Sequence, residues 1–439
     1  MFSDPIAALA TPAGRSALAL LRLSGEGVFP IAARVIHGFR VQPVRTQRLA
    51  GFVGPDGVLL DRGLYACFPA PASYTGQDLV ELSCHGGLVV PAAVLSALYA
   101  AGARPALPGE FTRRAVLNGK MDLVQAEAIG DLIDATAPAQ ASAALRQMDG
   151  ALSRRLGDLR ERIVGLQALL SYDIDFPEED DGPVAPARIR GALRDTLQRI
   201  ELLLQTAPAG ERLREGALVV IAGRPNAGKS SLLNALIGSR RVLVSERPGT
   251  TRDAVEVHTD FEGWPIRLVD TAGLGDFADP LDRSGVAMSR SYIDAADLIL
   301  LCVEAGLAVE PAESARPAER TVLLRTKADL IRPEGEGIPV SVVTGEGVAE
   351  LRREAARRLF RADSPRADLE PALTRERHRV ALARARTELL AAGDQLTAGD
   401  PVLAAHHIQD ATLALDELIG VVDIEQVLDR VFARFCVGK

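Results

Sequence analysis

Residues 218–238 read LVVIAGRPNAGKSSLLNALIG, and this stretch decides the class of the domain that holds it. Its first five residues are apolar and partly β-branched, which suits a buried strand. GRPNAGKS follows at 223–230, and SLLNALIG then has helical spacing with a glycine stop. The pattern G-x-x-x-x-G-K-S between strand and helix has a physical cause. Gly223 and Gly228 let the backbone wrap so that its N–H groups face phosphate oxygens. The helix N-terminus adds partial positive charge. Lys229 reaches the terminal phosphates and the Ser230 hydroxyl offers a ligand to Mg²⁺, with Asn226, Ala227 and Ser231 completing the loop. The expectation is a parallel α/β domain that binds a nucleoside triphosphate.

Four further segments follow in order: PGTTRD (248–253), LVDTAGL (268–274), LLRTKADL (323–330) and VSVVTGEG (340–347). Order and spacing match the motifs that GTPases share. Thr251 would supply a second Mg²⁺ ligand, Asp270 would hold a Mg²⁺-bound water, and the Gly273 N–H would meet the γ-phosphate. Glu246, Pro248, Gly249, Thr271 and Ala272 flank these groups in the GTP-binding set. Asp329 would accept hydrogen bonds from guanine N1–H and the exocyclic amine, which adenine cannot supply. The Lys327 stem would cover the base, and a backbone N–H of Ser341-Val342 would meet guanine O6. Two departures stand out: Thr326 replaces the usual Asn of NKxD, and Ser-Val replaces the usual Ser-Ala. Where Ras-like enzymes carry a water-orienting Gln, this chain has Leu274, so either the chain is a slow nucleotide-binding switch or catalytic help comes from elsewhere. Positive charge near the β–γ bridge is worth about 10³–10⁵ in rate, and Asn226 could ligate a monovalent cation there.

Composition narrows the class. The chain has 439 residues, enough for two or three domains. Apolar residues make up 47% and charged residues 25%, as in ordinary globular protein. No apolar run is long enough to span a bilayer, and residues 1–12, MFSDPIAALATP, lack a basic segment leading an apolar one. A cytosolic protein without membrane association is expected. Cys67, Cys84, Cys302 and Cys436 form no C-x-x-C pair, so neither zinc nor a disulfide framework is supported. A net charge of −8 argues against a protein that grips RNA over its whole surface. Of 50 Lys plus Arg, only Lys120, Lys229, Lys327 and Lys439 are lysine. A compact ammonium cannot be replaced by a planar fork in a small cavity, so these four mark candidate sites.

Four regions are expected. Residues 1–118 mix short strand-like runs with Gly/Pro turns, as a small α+β domain would. Residues 119–213 are helical, with Leu152, Leu156, Leu159, Ile163, Leu166 and Leu170 at helical steps, then Ile189, Leu193, Leu197, Ile200 and Leu204. Residues 214–364 form the α/β domain, and residues 365–439 return to helix, with Ala404, Ile408, Ala411, Leu415 and Leu418 on one face. The expected fold is thus an α/β domain inserted in a split helical domain, behind an N-terminal α+β domain. The acidic turn YDIDFPEEDDGP (172–183) lacks a calcium-loop spacing and reads as solvated.

The whole chain resembles the MnmE/TrmE family. The carrying segments are DPIAALATPAGRSALALLRLSG (4–25), LPGEFTRRAVLNGKMDLVQAEAIGDLIDAT (107–136) and the tail FCVGK (435–439). The resemblance implies a potassium-activated GTPase that dimerises through its N-terminal folate-binding domain and, with GTP, through its G domains. It implies a flavoprotein partner, MnmG, in a heterotetramer. Together they add aminomethyl or carboxymethylaminomethyl groups to carbon 5 of wobble uridine in certain tRNAs, with 5-formyl- or methylene-tetrahydrofolate as one-carbon donor. Carried over, the K⁺ ligands are Asn226, Ser245, Arg247 and Thr250, and Mg²⁺ falls to Ser230 and Thr251. Folate contacts map to Arg22, Glu81, Lys120 and Lys439. The family's catalytic Glu maps to Asp282 within LDRSG (281–285), one methylene shorter. Cys436 matches the tail cysteine, where a packing thiol and a functional one remain equally open. A ribosome-assembly or signalling GTPase is the competing reading, against which stands the lack of a GXXG clamp in a KH context.

Overall fold

The computed structural model describes residues 3–43, 46–175, 185–238, 243–244, 256–270, 290–310, 316–360, 372–420, 431–432 and 435–438. By internal contacts the chain divides into two compact units, Met1–Gly130 with Asp416–Lys439, and Asp131–Leu415.

The first unit opens with β1 (Ile6–Leu9), β2 (Leu18–Ser24), α1 (Val28–Val35), β3 (Gln47–Val53), β4 (Leu59–Phe68), β5 (Leu79–His85), α2 (Val90–Ala100), β6 (Arg104–Pro105), α3 (Glu110–Leu117) and α4 (Leu123–Asp134). The strands form one sheet in the order β3-β4-β5-β2-β1-β6. Alternation decides its faces. Ala19, Leu21 and Leu23 of β2 join Val80, Leu82 and Cys84 of β5 in a core shared with Val28 and Ala32 of α1 and Val94 and Leu98 of α2. Arg22 and Glu81, one step off that alternation, are half-buried. The C-terminal segment packs in this same unit: Phe432 joins Leu123 and Ala126, and the Gly109 N–H donates to the Cys436 carbonyl at 3.3 Å. Gly109 has φ 65, and a Cβ there would stand 2.9 Å from Phe432 Cδ1 and Phe435 Cβ, so only glycine admits this contact.

The second unit continues with α5 (Pro138–Met148), α6 (Ala151–Asp175), α7 (Pro186–Leu204), α8 (Ala207–Glu215), β7 (Ala217–Gly223), α9 (Lys229–Ile237), β8 (Leu243–Val244), β9 (Glu256–Phe261), β10 (Trp264–Asp270), β11 (Leu298–Glu304), β12 (Thr321–Thr326), β13 (Ile338–Val340), α10 (Val348–Phe360), α11 (Glu376–Ala398) and α12 (Pro401–Ile419). The heptad-like stripe of α6 is buried from Leu152 to Leu170, as its spacing predicts. Helix α7 packs between α6 and α11. The α11 stripe of Leu382, Ala385, Leu389 and Ala392 is fully buried.

The second sheet runs β13-β12-β11-β7-β10-β9-β8. Strands β7, β10, β11, β12 and β13 are parallel, and β9 pairs antiparallel with β10. Val219 and Ile221 face Leu232 and Leu236 of α9 and Leu351 of α10. Leu218, Val220 and Ala222 pack with Val269 and Ile299 on the other face. Burial on both faces explains why β7 reads as a continuous apolar run rather than an alternating one. Successive strands are laid down on opposite sides of β7, β10 on one and β11 on the other. In open α/β sheets ligands sit beyond the carboxyl ends of the strands at such a switch point.

Candidate functional site

The loop 223–228 leaves the carboxyl end of β7 at that switch point. Gly223 has φ 146, and a Cβ there would stand 2.3 Å from the Cys302 carbonyl oxygen, so this glycine is dictated by the approach of β11. Gly228 caps α9 in the left-handed region at φ 82. Asn226 is also left-handed, at φ 63, a conformation asparagine tolerates better than most residues. Lys229 is buried, and its Nζ donates to the Arg224 carbonyl across the loop at 2.7 Å. The Ser230 hydroxyl donates to Asp270 Oδ2 at 2.7 Å. Two hard oxygen groups, from α9 and from the end of β10, thus meet beside the loop. This donor pair suits Mg²⁺ in its chemistry. Ala227 is buried, while Ser230 and Ser231 are exposed. Burial pushes the Cys302 thiol up to about 12, with Lys229 opposing and Asp270 reinforcing the shift. That thiol stays protonated and serves as packing beneath the loop.

The second and third strands from β7, β12 and β13, carry the base-side motifs. Thr326 ends β12, Lys327 follows at φ 57, and Lys327 Nζ meets Glu304 Oε2 at 2.7 Å. Asp329 Oδ1 accepts from the Ser341 hydroxyl at 2.7 Å, and Ser341 is fully buried. The Ser341 N–H is already engaged with the Glu346 carbonyl at 3.0 Å, so of the pair Ser341-Val342 the exposed Val342 is the one left to offer an amide. Thr326 is buried, and its Oγ1 has no hydrogen-bond partner among the described residues. Its Cβ lies 3.9 Å from where a Cβ on Gly228 would stand. The shorter threonine therefore sits against the phosphate loop with its hydroxyl unpaired.

In the first unit, strand register brings Arg22 opposite Glu81, and Arg22 Nε donates to Glu81 Oε1 at 3.0 Å. The Arg22 guanidinium lies 5.4 Å from the Tyr74 ring centroid. Lys120 Nζ donates to the Pro71 carbonyl at 3.0 Å, so it rests on the same 70–78 loop as Tyr74. The tail reaches this neighbourhood as well: a Cβ on Gly438, at φ 97, would stand 2.3 Å from the Leu9 carbonyl oxygen. Leu9 lies one residue beyond Ala8, the partner of Arg22 in the β1–β2 register. Cys436 is exposed. Ser245, Glu246, Arg247, Pro248, Gly249, Thr250, Thr251, Thr271, Ala272, Gly273, Leu274, Asp282 and Lys439 lie outside the described residues.

Three groups of consequence carry no motif signal. Glu304 pairs with Lys327 only because β11 and β12 end together. Tyr74 meets Arg22 through a loop, and its hydroxyl bonds to the Thr112 hydroxyl at 2.8 Å. The segment GEFTRRA conceals a buried ion network. Arg114 is 1% exposed and donates to Glu110 Oε1 at 2.8 Å and to Asp4 Oδ1 at 3.0 Å. Arg104 donates to Glu110 Oε1 at 2.6 Å. The sole sequence hint was the density of charge in an otherwise helical, apolar-spaced segment.

Two domain families match the chain: the MnmE helical domain over residues 123–436 and the GTP-binding protein TrmE N-terminus over residues 5–120. The tRNA modification GTPase MnmE of Methylorubrum populi is 44% identical over 451 residues, covering 99% of this chain and 98% of that protein. Its namesake in Thermus thermophilus is 42% identical over 441 residues, covering 99% of each. That of Moorella thermoacetica is 40% identical over 465 residues and covers 100% of each. Similarity from end to end, on a chain whose phosphate loop and base motifs fold to the carboxyl ends of one sheet's parallel strands, means that this protein belongs to the MnmE family of tRNA modification GTPases.

Proposed function

We propose that the chain is a potassium-activated GTPase that works with the flavoprotein MnmG and a tetrahydrofolate. Together they place an aminomethyl or carboxymethylaminomethyl group on carbon 5 of the wobble uridine of certain tRNAs. The observation that carries the nucleotide half is the meeting of Ser230 and Asp270 beside a loop whose backbone wraps through Gly223, Asn226 and Gly228. In this reading the loop amides and Lys229 bind the phosphates, and Ser230 with Thr251 holds Mg²⁺, which neutralises charge on the transferring phosphoryl group. Asp329 and the Val342 amide hold guanine. Asn226, Ser245, Arg247 and Thr250 hold K⁺, and Asp282 orients the attacking water. A homodimer forms through the N-terminal domain, GTP brings the G domains together, and its hydrolysis drives the conformational change.

GTP turnover is expected to be at least about tenfold faster in potassium than in sodium at equal ionic strength, a barrier difference of about 1.4 kcal/mol or more. Asn226→Ala should abolish that difference while leaving GDP affinity close to wild type. Equal turnover in the two salts would overturn the potassium assignment.

The folate half rests on Arg22, Glu81 and Lys120 gathering where the tail ends. Carboxylate-bearing folate suits the cations, and Glu81 suits the amino-pterin donors. Deleting residues 436–439 removes one cation from that set. A charge-assisted hydrogen bond is worth about 1.5–3 kcal/mol, so reduced-folate binding in a calorimetric titration should weaken by about 10- to 100-fold. Unchanged affinity would remove the tail from the site.

A further inference from the structure

We propose that Glu304 is a positioning residue for the guanine base, acting through Lys327. The inference rests on the reading that Lys327 and Asp329 hold the base. Glu304 ends β11 directly opposite Thr326, the last residue of β12. The ladder runs one step further, with the Ala305 N–H donating to the Thr326 carbonyl at 2.9 Å. This backbone pairing fixes Glu304 beside the residue that precedes Lys327. Lys327 itself holds a left-handed φ of 57, which a lysine keeps only when its surroundings enforce it. Its Nζ lies 2.7 Å from Glu304 Oε2, with the two side chains 35% and 34% exposed.

The loop that follows Glu304 is fastened on both sides. Arg325 Nη1 donates to the Leu307 carbonyl at 2.7 Å, which ties the loop to β12. Arg224 Nη2, from the phosphate loop, donates to the Ala308 carbonyl at 3.1 Å and meets Glu310 at 3.0 Å. One loop therefore joins the phosphate loop to the base motif, and Glu304 stands at its root. Thr326, whose Cβ lies 3.9 Å from where a Cβ on Gly228 would stand, keeps a buried hydroxyl with no partner among the described residues, which a polar ligand atom would satisfy.

The physical role follows from the lysine side chain. Four methylenes cover a base plane only if the stem lies flat, and a free ammonium on a flexible stem has many rotamers to lose. Anchoring Nζ on a fixed carboxylate removes that loss before the nucleotide arrives. Glu304 thus contributes binding shared by GTP and GDP, without touching either. Guanine selection remains with Asp329.

The test is dissociation of a ribose-labelled fluorescent GDP from the full-length protein, with steady-state GTP hydrolysis alongside. Glu304→Ala should speed dissociation about two- to fivefold, the scale of a partly exposed ion pair, and should raise KM far more than it alters kcat. Glu304→Gln, which keeps a hydrogen-bond acceptor for Nζ, should restore most of the affinity. In a Lys327→Ala background, Glu304→Ala should add nothing further. Unchanged dissociation in Glu304→Ala overturns the proposal, as does a loss that persists in full without Lys327. Asp329→Asn separates the two readings. If that variant keeps its guanine preference, the base site is misassigned. If it shifts to xanthine while Glu304→Ala is silent, only the role of Glu304 falls.

Discussion

Asp329→Asn is expected to turn a guanine enzyme into a xanthine enzyme, with kcat/KM for GTP falling by on the order of 10⁴. The size of the effect comes from leaving buried donors on the base without acceptors. The surroundings of Asp329 favour a clean inversion. The Ser341 hydroxyl accepts from the Thr344 N–H at 3.2 Å and so directs its own proton to Asp329 Oδ1. An asparagine there would present its carbonyl oxygen to that same proton and to the base N1–H, and turn its amide donor to the substituent on carbon 2. Xanthine carries a carbonyl where guanine carries an amine, so the donor meets an acceptor. Hydrolysis of GTP, XTP and ATP by wild type and variant measures this directly. A variant that still prefers GTP, or a wild type that accepts ATP equally, would contradict the assignment of residues 326–329.

The second large effect is on stability. Glu110→Ala should destabilise the N-terminal unit by about 3–5 kcal/mol, the cost of stranding the partner of a buried ion pair. For a unit of this size that corresponds to about 6–20 °C in its melting transition. Arg114 would keep only Asp4, Gln77 and the Asp4 carbonyl as acceptors. GDP affinity should be unchanged, since the nucleotide motifs lie in the other unit. The effect has a pH signature. Burial alone would raise the Glu110 carboxyl, but hydrogen bonds from Arg104, the Leu107 N–H and Arg114, with the Arg114 charge, hold it below its ordinary value. A carboxyl depressed in the folded state stabilises fully above its unfolded pKa, about 4.3, and loses that contribution as pH falls through the folded value. Wild type should therefore lose stability more steeply than Glu110→Ala below about pH 4. Calorimetric scans of the full-length protein across that range would show it, and parallel acid limbs would contradict it.

The network also shows why GEFTRRA could be recognised in the sequence but not explained there. Glu110 and Arg114 sit four residues apart, but Asp4 and Gln77 come from distant segments, and the carboxylate of Asp4 is met only after β1 and α3 pack. Two of the four lysines sit in surroundings unlike those of the surface arginines. Lys229 is buried in the loop, and Lys327, at φ 57, rests its ammonium on Glu304. A small cavity and a constrained stem are both cases where an ammonium outdoes a guanidinium.

Some elements were legible because their signal is local. The strand, loop and helix of residues 217–237 are contiguous, so the glycine spacing and the apolar run declare themselves in one window, and the leucine stripe of α6 does likewise. Helix α11 falls in the region read as helical, but its buried stripe was not legible, because it alternates leucine with alanine and a short alanine side chain gives little apolar contrast. Helix α1, VFPIAARV, was missed because it is short and holds a proline, and strand β3, QRLAGFV, because it is short and only partly apolar. What the sequence alone determined is the chemistry on offer: a phosphate loop, a carboxylate at the fourth-motif spacing and four retained ammonium groups. What only the tertiary structure decided is which groups meet. Arg22 finds Glu81 through strand register across 59 residues, Lys327 finds Glu304 because two parallel strands end level, and Ser341 aims its proton at Asp329 from a turn 12 residues on. Such pairings are set by register and loop closure, which depend on the packing of the whole sheet and appear in no single stretch of chain.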